Sequence, residues 1–109
     1  MDCIFCKIVK GEIPAKKVYE DNDVLAFHDI NPQAPIHILI IPKKHYSNIL
    51  QTELKEIKPI FKAIKKLASD LELEEGFRIV NNCGELGGQT VEHVHFHLLG
   101  KRKLTWPPG

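Results

Sequence analysis

Between Thr52 and Leu71 the apolar residues Leu54, Ile57, Phe61, Ile64, Leu67, Ala68 and Leu71 recur at spacings of three and four. That period is one face of an amphipathic helix, and such a face has to be buried against another element. Thr52 is placed to cap its start. Pro59 falls inside the run; there it removes a hydrogen bond at a cost of about 3 kcal/mol, so a kink or a restart is expected. Lys55, Lys58, Lys62, Lys65 and Lys66 make the opposite side basic, which reads as a solvated face before it reads as a partner surface.

The flanking segments supply the surface for that helix. "KKVYED" (16–21) and "VLAFHDI" (24–30) read as two strands about the turn residues Asp21, Asn22 and Asp23. "IHILIIP" (36–42) is a short β-branched run bounded by prolines, which favours a buried strand. "FRIVNN" (77–82) and "TVEHVHFHLLG" (90–100) read as two more strands, joined by the glycine-rich loop "CGELGGQ" (83–89) and expected to pair antiparallel. "CIFCKIVKG" reads as a short helical turn closed by Gly11. The expected architecture is α+β: a mainly antiparallel sheet of about five strands, with the long and the short helix on one face. With 109 residues, no repeats and no linker, one domain over 1–109 is expected.

Within the last strand His93, His95 and His97 alternate with Val94, Phe96 and Leu98. Alternation along a strand sends the apolar residues to one side and the imidazoles to the other. Three readings of that row stand side by side. It is a polar strand face that happens to carry histidine, a set of metal ligands, or a nucleophile flanked by groups that hold what it transfers. Gly84, Gly87 and Gly88 with the Thr90 hydroxyl, just ahead, suit an anion cradle, which favours phosphoryl or nucleotidyl transfer. Cys3 and Cys6 have Cys-x₂-Cys spacing, used for zinc, for redox exchange and by chance. With His45 and His93 they would complete a tetrahedral zinc set; a pair of buried thiols or a disulfide are the other outcomes. Fifteen basic residues against fourteen acidic ones leave a net charge of +1, so no global field selects nucleic acid or a membrane. The longest apolar run is too short to span a bilayer, and a cytoplasmic location is expected.

"HVHFHLL" resembles the His-x-His-x-His-x-x motif of the histidine triad superfamily. "EIPAKKVYEDNDVLAFHDINPQAPIHILIIPKKH" and the closing "WPPG" resemble its nucleotide-binding (Hint) branch. The resemblance implies that His95 attacks the α-phosphate of a nucleotide, forming a nucleotidyl-histidine that water cleaves. It makes His97 a donor to the phosphate, His37 a further active-site histidine, and Thr90 the occupant of a position where the branch usually has serine. It places Phe27 and Ile30 at the base, Asp29 at the ribose, and Asn82, Gly88 and Gln89 around the phosphate. It implies a homodimer in which Trp106 approaches the partner's active site. For Cys3, Cys6, His45 and His93 it implies the structural zinc that some bacterial members carry, with no cofactor needed for the chemistry. The implied activity is hydrolysis of the P–N bond of purine nucleoside phosphoramidates. A dinucleoside polyphosphate hydrolase, or a purine-nucleotide-binding module with incidental hydrolysis, is the alternative.

Overall fold

In the computed structural model, which describes residues 2–109, a five-stranded antiparallel sheet lies between two helices of unequal length. In chain order the elements are α1 (Ile4–Val9), β1 (Lys17–Glu20), β2 (Val24–His28), β3 (Ile36–Pro42), α2 (Leu54–Asp70), β4 (Phe77–Val80) and β5 (Phe96–Gly100). The strand order is β1-β2-β3-β5-β4, so β1 and β4 are the edges.

β2 and β3 are buried on both faces, which is why they read as near-continuous apolar runs instead of alternating ones. On one face Val24, Ala26, Ile38, Ile40, Phe96 and Leu98 pack with Ile60, Ala63, Ile64 and Leu67 of α2. On the other, Leu25, Phe27, Leu39 and Ile41 pack with Cys3, Phe5 and Ile8, on and beside α1. The helices therefore lie on opposite faces of the sheet and not, as expected, on one. Each of the two apolar faces of β2 and β3 needs its own cover.

Three further expectations change. The last strand begins at Phe96, so only His97 of the histidine row is in β5, while Val91–His93 bend and Val94 and His95 run irregularly. The side-chain alternation survives: Val94, Phe96 and Leu98 join the α2-side core. The cap of α2 is Glu53, without a side-chain hydrogen bond; Thr52 ends a preceding 3₁₀ turn (Ile49–Gln51), and its hydroxyl donates to the Asn48 carbonyl oxygen at 2.8 Å. Finally, α2 runs through Pro59 as one helix with no restart. One missing amide is offset there by the burial of Ile60, Ala63, Ile64, Leu67 and Ala68 immediately after it.

Candidate functional site: a histidine cluster beside a candidate zinc site

The sheet face that α1 covers carries all the candidate chemistry. His37 on β3 and His97 on β5 are diagonal neighbours there, since Leu39 pairs with His97 and His37 with Leu99. Phe5, between the two cysteines of α1, sets its ring edge against three others. Its centroid lies 5.2 Å from that of His95, 5.8 Å from His93 and 5.6 Å from Phe27. That packing leaves His95 only 4% exposed and Phe27 equally buried.

Backbone partners determine which nitrogen of each ring carries the proton. A carbonyl oxygen only accepts, so the 2.7 Å contact between His95 Nδ1 and the His93 carbonyl oxygen puts the His95 proton on Nδ1. Nε2 of His95 is left with its lone pair. At His37 the Gln33 N–H donates to Nδ1 at 3.0 Å, so the His37 proton is on Nε2. That N–H donates to Nδ1 of His97 at 2.9 Å, with Oδ2 of Asp29 also 3.4 Å away. His97 must then carry its own proton on Nε2. Burial holds all three rings below the ordinary histidine range, although the Asp29 carboxylate opposes the shift, and His97 is pushed down to about 4. At neutral pH the set is uncharged: one nucleophilic nitrogen beside one ring N–H donor.

Asp29, His37 and His97 lie close enough to share a metal ion. The Gln33 amide argues against it, because a neutral His37 that coordinated through Nε2 would have to place its proton on Nδ1, against that N–H. The three form a hydrogen-bonded cluster in which the single Nε2–H of His37 lies between His97 Nδ1 and the Asp29 carboxylate.

The second cluster passes the test that the first fails. Donor atoms of Cys3, Cys6, His45 and His93 all lie within 4.8 Å of one another. Sulfur to nitrogen, Cys3–His93 is 3.4 Å, Cys6–His45 3.3 Å and Cys6–His93 3.6 Å; the two Nδ1 atoms are 3.1 Å apart. A tetrahedral zinc with Zn–S of about 2.3 Å and Zn–N of about 2.05 Å would space sulfur and nitrogen roughly 3.6 Å apart and two nitrogens roughly 3.3 Å apart. His93 donates Nε2–H to the Pro42 carbonyl oxygen at 2.9 Å, so its Nδ1 faces the cluster with a free lone pair, the arrangement a metal ligand needs. Burial pushes the Cys6 thiol up, and Cys3 beside it adds to the effect, which a cation bound at the cluster would oppose. All three cysteines are unbridged, which rules out the disulfide outcome in this structure. The site is suited to zinc, and its four protein donors leave no open position.

The remaining expected residues are placed less compactly. Oδ1 of Asp29 accepts from the Asn31 N–H at 2.8 Å, and Ile30 beside it is fully exposed. Asn82 makes no side-chain hydrogen bond among the described residues, whereas Asn81 donates to the His95 carbonyl oxygen at 2.9 Å. The expected glycine cradle is closed upon itself. The Gly84 amide donates to Gln89 Oε1, and those of Gly87, Gly88 and Gln89 donate to carbonyls of the same loop. A Cβ on Gly87 would lie 2.4 Å from the Cys83 carbonyl oxygen, so the tightness of this loop is what its glycine serves. Gln89 also donates from Nε2 to the carbonyl oxygens of Ser47 and Val91 and so closes the loop, which leaves the amides of Gly84, Gly87, Gly88 and Gln89 engaged within it. Thr90 is exposed, at a cavity of about 450 Å³ that it shares with Cys3, His45 and Glu92. Trp106 is 82% exposed. Phe5, Gln33 and Asn81 act on the histidines without having been legible beforehand; the only hint was the aromatic residue between two cysteines.

Known proteins resemble this chain along nearly its whole length. A family model described as "HIT domain" matches residues 10–104. The chain is 50% identical over 111 residues to the "14 kDa zinc-binding protein" of Zea mays, covering 97% of this chain and 87% of that one. Among solved structures, a HIT family hydrolase from Legionella pneumophila superposes with a TM-score of 0.95 at 52% identity, covering 99% of this chain and 100% of that one. A histidine triad nucleotide-binding protein from Candida albicans gives 0.90 at 39% identity, covering 97% and 83%.

Proposed function

The chain belongs to the HIT family, and on that premise we propose that it hydrolyses the P–N bond of purine nucleoside phosphoramidates through a covalent adduct on His95. The observation that carries this reading is the hydrogen bond from His95 Nδ1 to the His93 carbonyl oxygen, which leaves Nε2 as a free nucleophile. In the first step the Nε2 lone pair bonds to the α-phosphorus and the P–N bond to the amine breaks; the amine leaves with a proton taken from solvent water. The resulting nucleotidyl-imidazolium retains Nδ1–H on the carbonyl, which stabilises its positive charge. In the second step water forms the new P–O bond, the bond from phosphorus to His95 Nε2 breaks to release the neutral ring, and the proton of that water passes to solvent, replacing the one the amine took. His97, donating from Nε2–H, holds a phosphate oxygen, and His37 keeps that ring in its donor form. Asp29 faces the ribose and Phe27 backs the base, with Ile30 on its outer side. Thr90 supplies the hydroxyl at the mouth, while Asn82, Gly88 and Gln89 shape the loop beside the phosphate.

Zinc on Cys3, Cys6, His45 and His93 ties α1 and the segment after β3 to the residue that orients His95. It would serve as a structural cross-link with no role in the bond changes. The reading extends to one domain over 1–109, working in the cytoplasm as a homodimer. Phe77 and Ile79 support the dimer: they are exposed on the edge strand β4 and extend the α2-side core past its cover, as does Phe61. In such a dimer Trp106 would approach the partner's site.

The deciding experiment is turnover of an adenosine phosphoramidate beside a diadenosine polyphosphate, for wild type and His95→Ala. Cleavage of the first, reduced at least about 10³-fold by the substitution, is expected. Cleavage of the polyphosphate alone would assign the chain to polyphosphate hydrolysis. AMP binding without turnover of either would make it a nucleotide-binding module.

A further inference from the structure

Gln33 sets the proton of His37 through its backbone amide, so whatever holds residue 33 in place also holds the direction of the His37–His97 hydrogen bond. Pro32 on one side and Pro35 on the other confine this segment. Its amides and side chains are stitched into a compact turn: Asn31 N–H to Asp29 Oδ1 at 2.8 Å, Gln33 Nε2 to the Asn31 carbonyl oxygen at 3.1 Å, and Asp29 N–H to the His37 carbonyl oxygen at 3.0 Å. One bond comes from far along the chain. Nε of Arg102 donates to the Gln33 carbonyl oxygen at 2.9 Å, across 69 residues of sequence. A second guanidinium nitrogen of Arg102 donates to the Lys103 carbonyl oxygen at 3.3 Å, bracing the side chain against its own backbone.

Arg102 is the second residue after Gly100, where β5 ends and the C-terminal segment begins. That segment is anchored again by Arg78, whose guanidinium donates to the Thr105 carbonyl oxygen at 2.7 Å. A continuous line of hydrogen bonds thus runs from the C-terminal segment through Arg102 and Gln33 to His37 and His97.

We propose that Arg102 is a positioning residue for the transfer site, holding the Gln33 amide on His37 and so keeping the Nε2–H of His97 as its donor. The kinetic part of this inference rests on the hydrolase reading; the proton placement rests on geometry alone. Losing the clamp lets residue 33 drift from His37, whose proton then redistributes between its two nitrogens. His97 in turn loses its obligatory donor form. Phosphate binding by the site as a whole changes little, because the ring remains in place; transition-state stabilisation suffers.

The test uses the full-length, zinc-loaded protein in three forms: wild type, Arg102→Met, which keeps the aliphatic stem, and Arg102→Lys, which restores a donor. Long-range ¹H–¹⁵N spectra of the imidazoles read each tautomer without any substrate. Wild type should show His37 and His97 as single Nε2–H forms and His95 as Nδ1–H. Arg102→Met should mix the His37 and His97 signals and leave His95 unchanged, since its partner is the His93 carbonyl oxygen. With an adenosine phosphoramidate, kcat should fall about 3- to 10-fold, the scale of one hydrogen bond, at nearly constant KM. Arg102→Lys should recover most of both effects. Gln33→Pro deletes the amide itself without touching the C-terminal segment, and it must reproduce the His37 change even if Arg102→Met folds poorly. Unaltered His37 and His97 spectra in Arg102→Met would overturn the proposal, as would a failure of lysine to restore them. If wild type cleaves no phosphoramidate, the hydrolase reading fails while the spectra still decide the role of Arg102.

Discussion

His95 bonds to the main chain of His93 and not to its ring: Nδ1–H meets the His93 carbonyl oxygen at 2.7 Å, while the His93 ring faces Cys3 and Cys6. One residue therefore belongs to both clusters through different atoms. His93→Gln should keep the carbonyl and so the orientation of His95, while removing a zinc ligand. Turnover of an adenosine phosphoramidate is expected to drop about 10-fold, the low end of what disturbing a supporting shell costs. The drop for His95→Ala should be at least about a hundred times larger. Equal losses in the two variants would show that the His93 ring does more than support.

Zinc content follows from the four-donor geometry. Protein purified without chelator should contain close to one zinc per chain by elemental analysis. Cys6→Ser should contain little and should unfold several kcal/mol earlier in denaturant, since metal that binds only the folded state adds its binding energy to stability. A chain with negligible zinc and unchanged stability in Cys6→Ser would leave two buried thiols as the correct description.

The buried His97 ring makes stability depend on pH. Its folded pKa of about 4 lies below the unfolded value of 6.5, so the unfolded chain binds the extra proton first as pH falls. The stabilising contribution is complete above pH 6.5 and is lost progressively down to pH 4. For a partly solvated ring this amounts to about 2 kcal/mol at most, once screening is allowed for. Denaturant titrations at pH 7.5 and pH 5, with saturating zinc, should show a larger loss for wild type than for His97→Gln. Identical pH dependence in the two would mean that the ring is not held neutral by burial.

Ile79 is 36% exposed on an edge strand, opposite the fully buried Leu98 in register. Ile79→Lys should convert a dimer to monomer in sedimentation experiments while leaving the circular dichroism of the fold intact, because charge on an edge strand opposes strand-to-strand association. A dimer that survives the substitution would place the interface elsewhere.

Much of the fold was legible because it depends on local periods. The three- and four-residue spacing of Leu54 to Leu71 produced a helix at Leu54–Asp70, and the runs at 24–30 and 36–42 became β2 and β3 nearly as read. Errors fell where tertiary packing competes with local preference. Pro59 was tolerated because the helix buries five side chains just after it. The strand expected from Thr90 was shortened because His93 turns its ring to the cysteines and its carbonyl to His95. The helices fell on opposite faces because the near-continuous apolar runs of β2 and β3 need cover on both sides, which reading each helix by itself does not reveal.

The sequence by itself determined the inventory: a triad of histidines at alternate positions, two cysteines at ligand spacing, and an α+β chain able to bring them together. Only the tertiary structure decided which ring nitrogen each histidine presents, and to what. A hydrogen bond to a backbone atom chooses the tautomer, and those atoms come from residues remote in sequence or invisible as side chains. The Pro42 carbonyl turns Nδ1 of His93 to the metal site, the His93 carbonyl frees Nε2 of His95, and the Gln33 amide gives His97 its donor. Residue letters do not encode the direction of a carbonyl or an amide; the folded chain sets it, and with it the nitrogen that each ring leaves free.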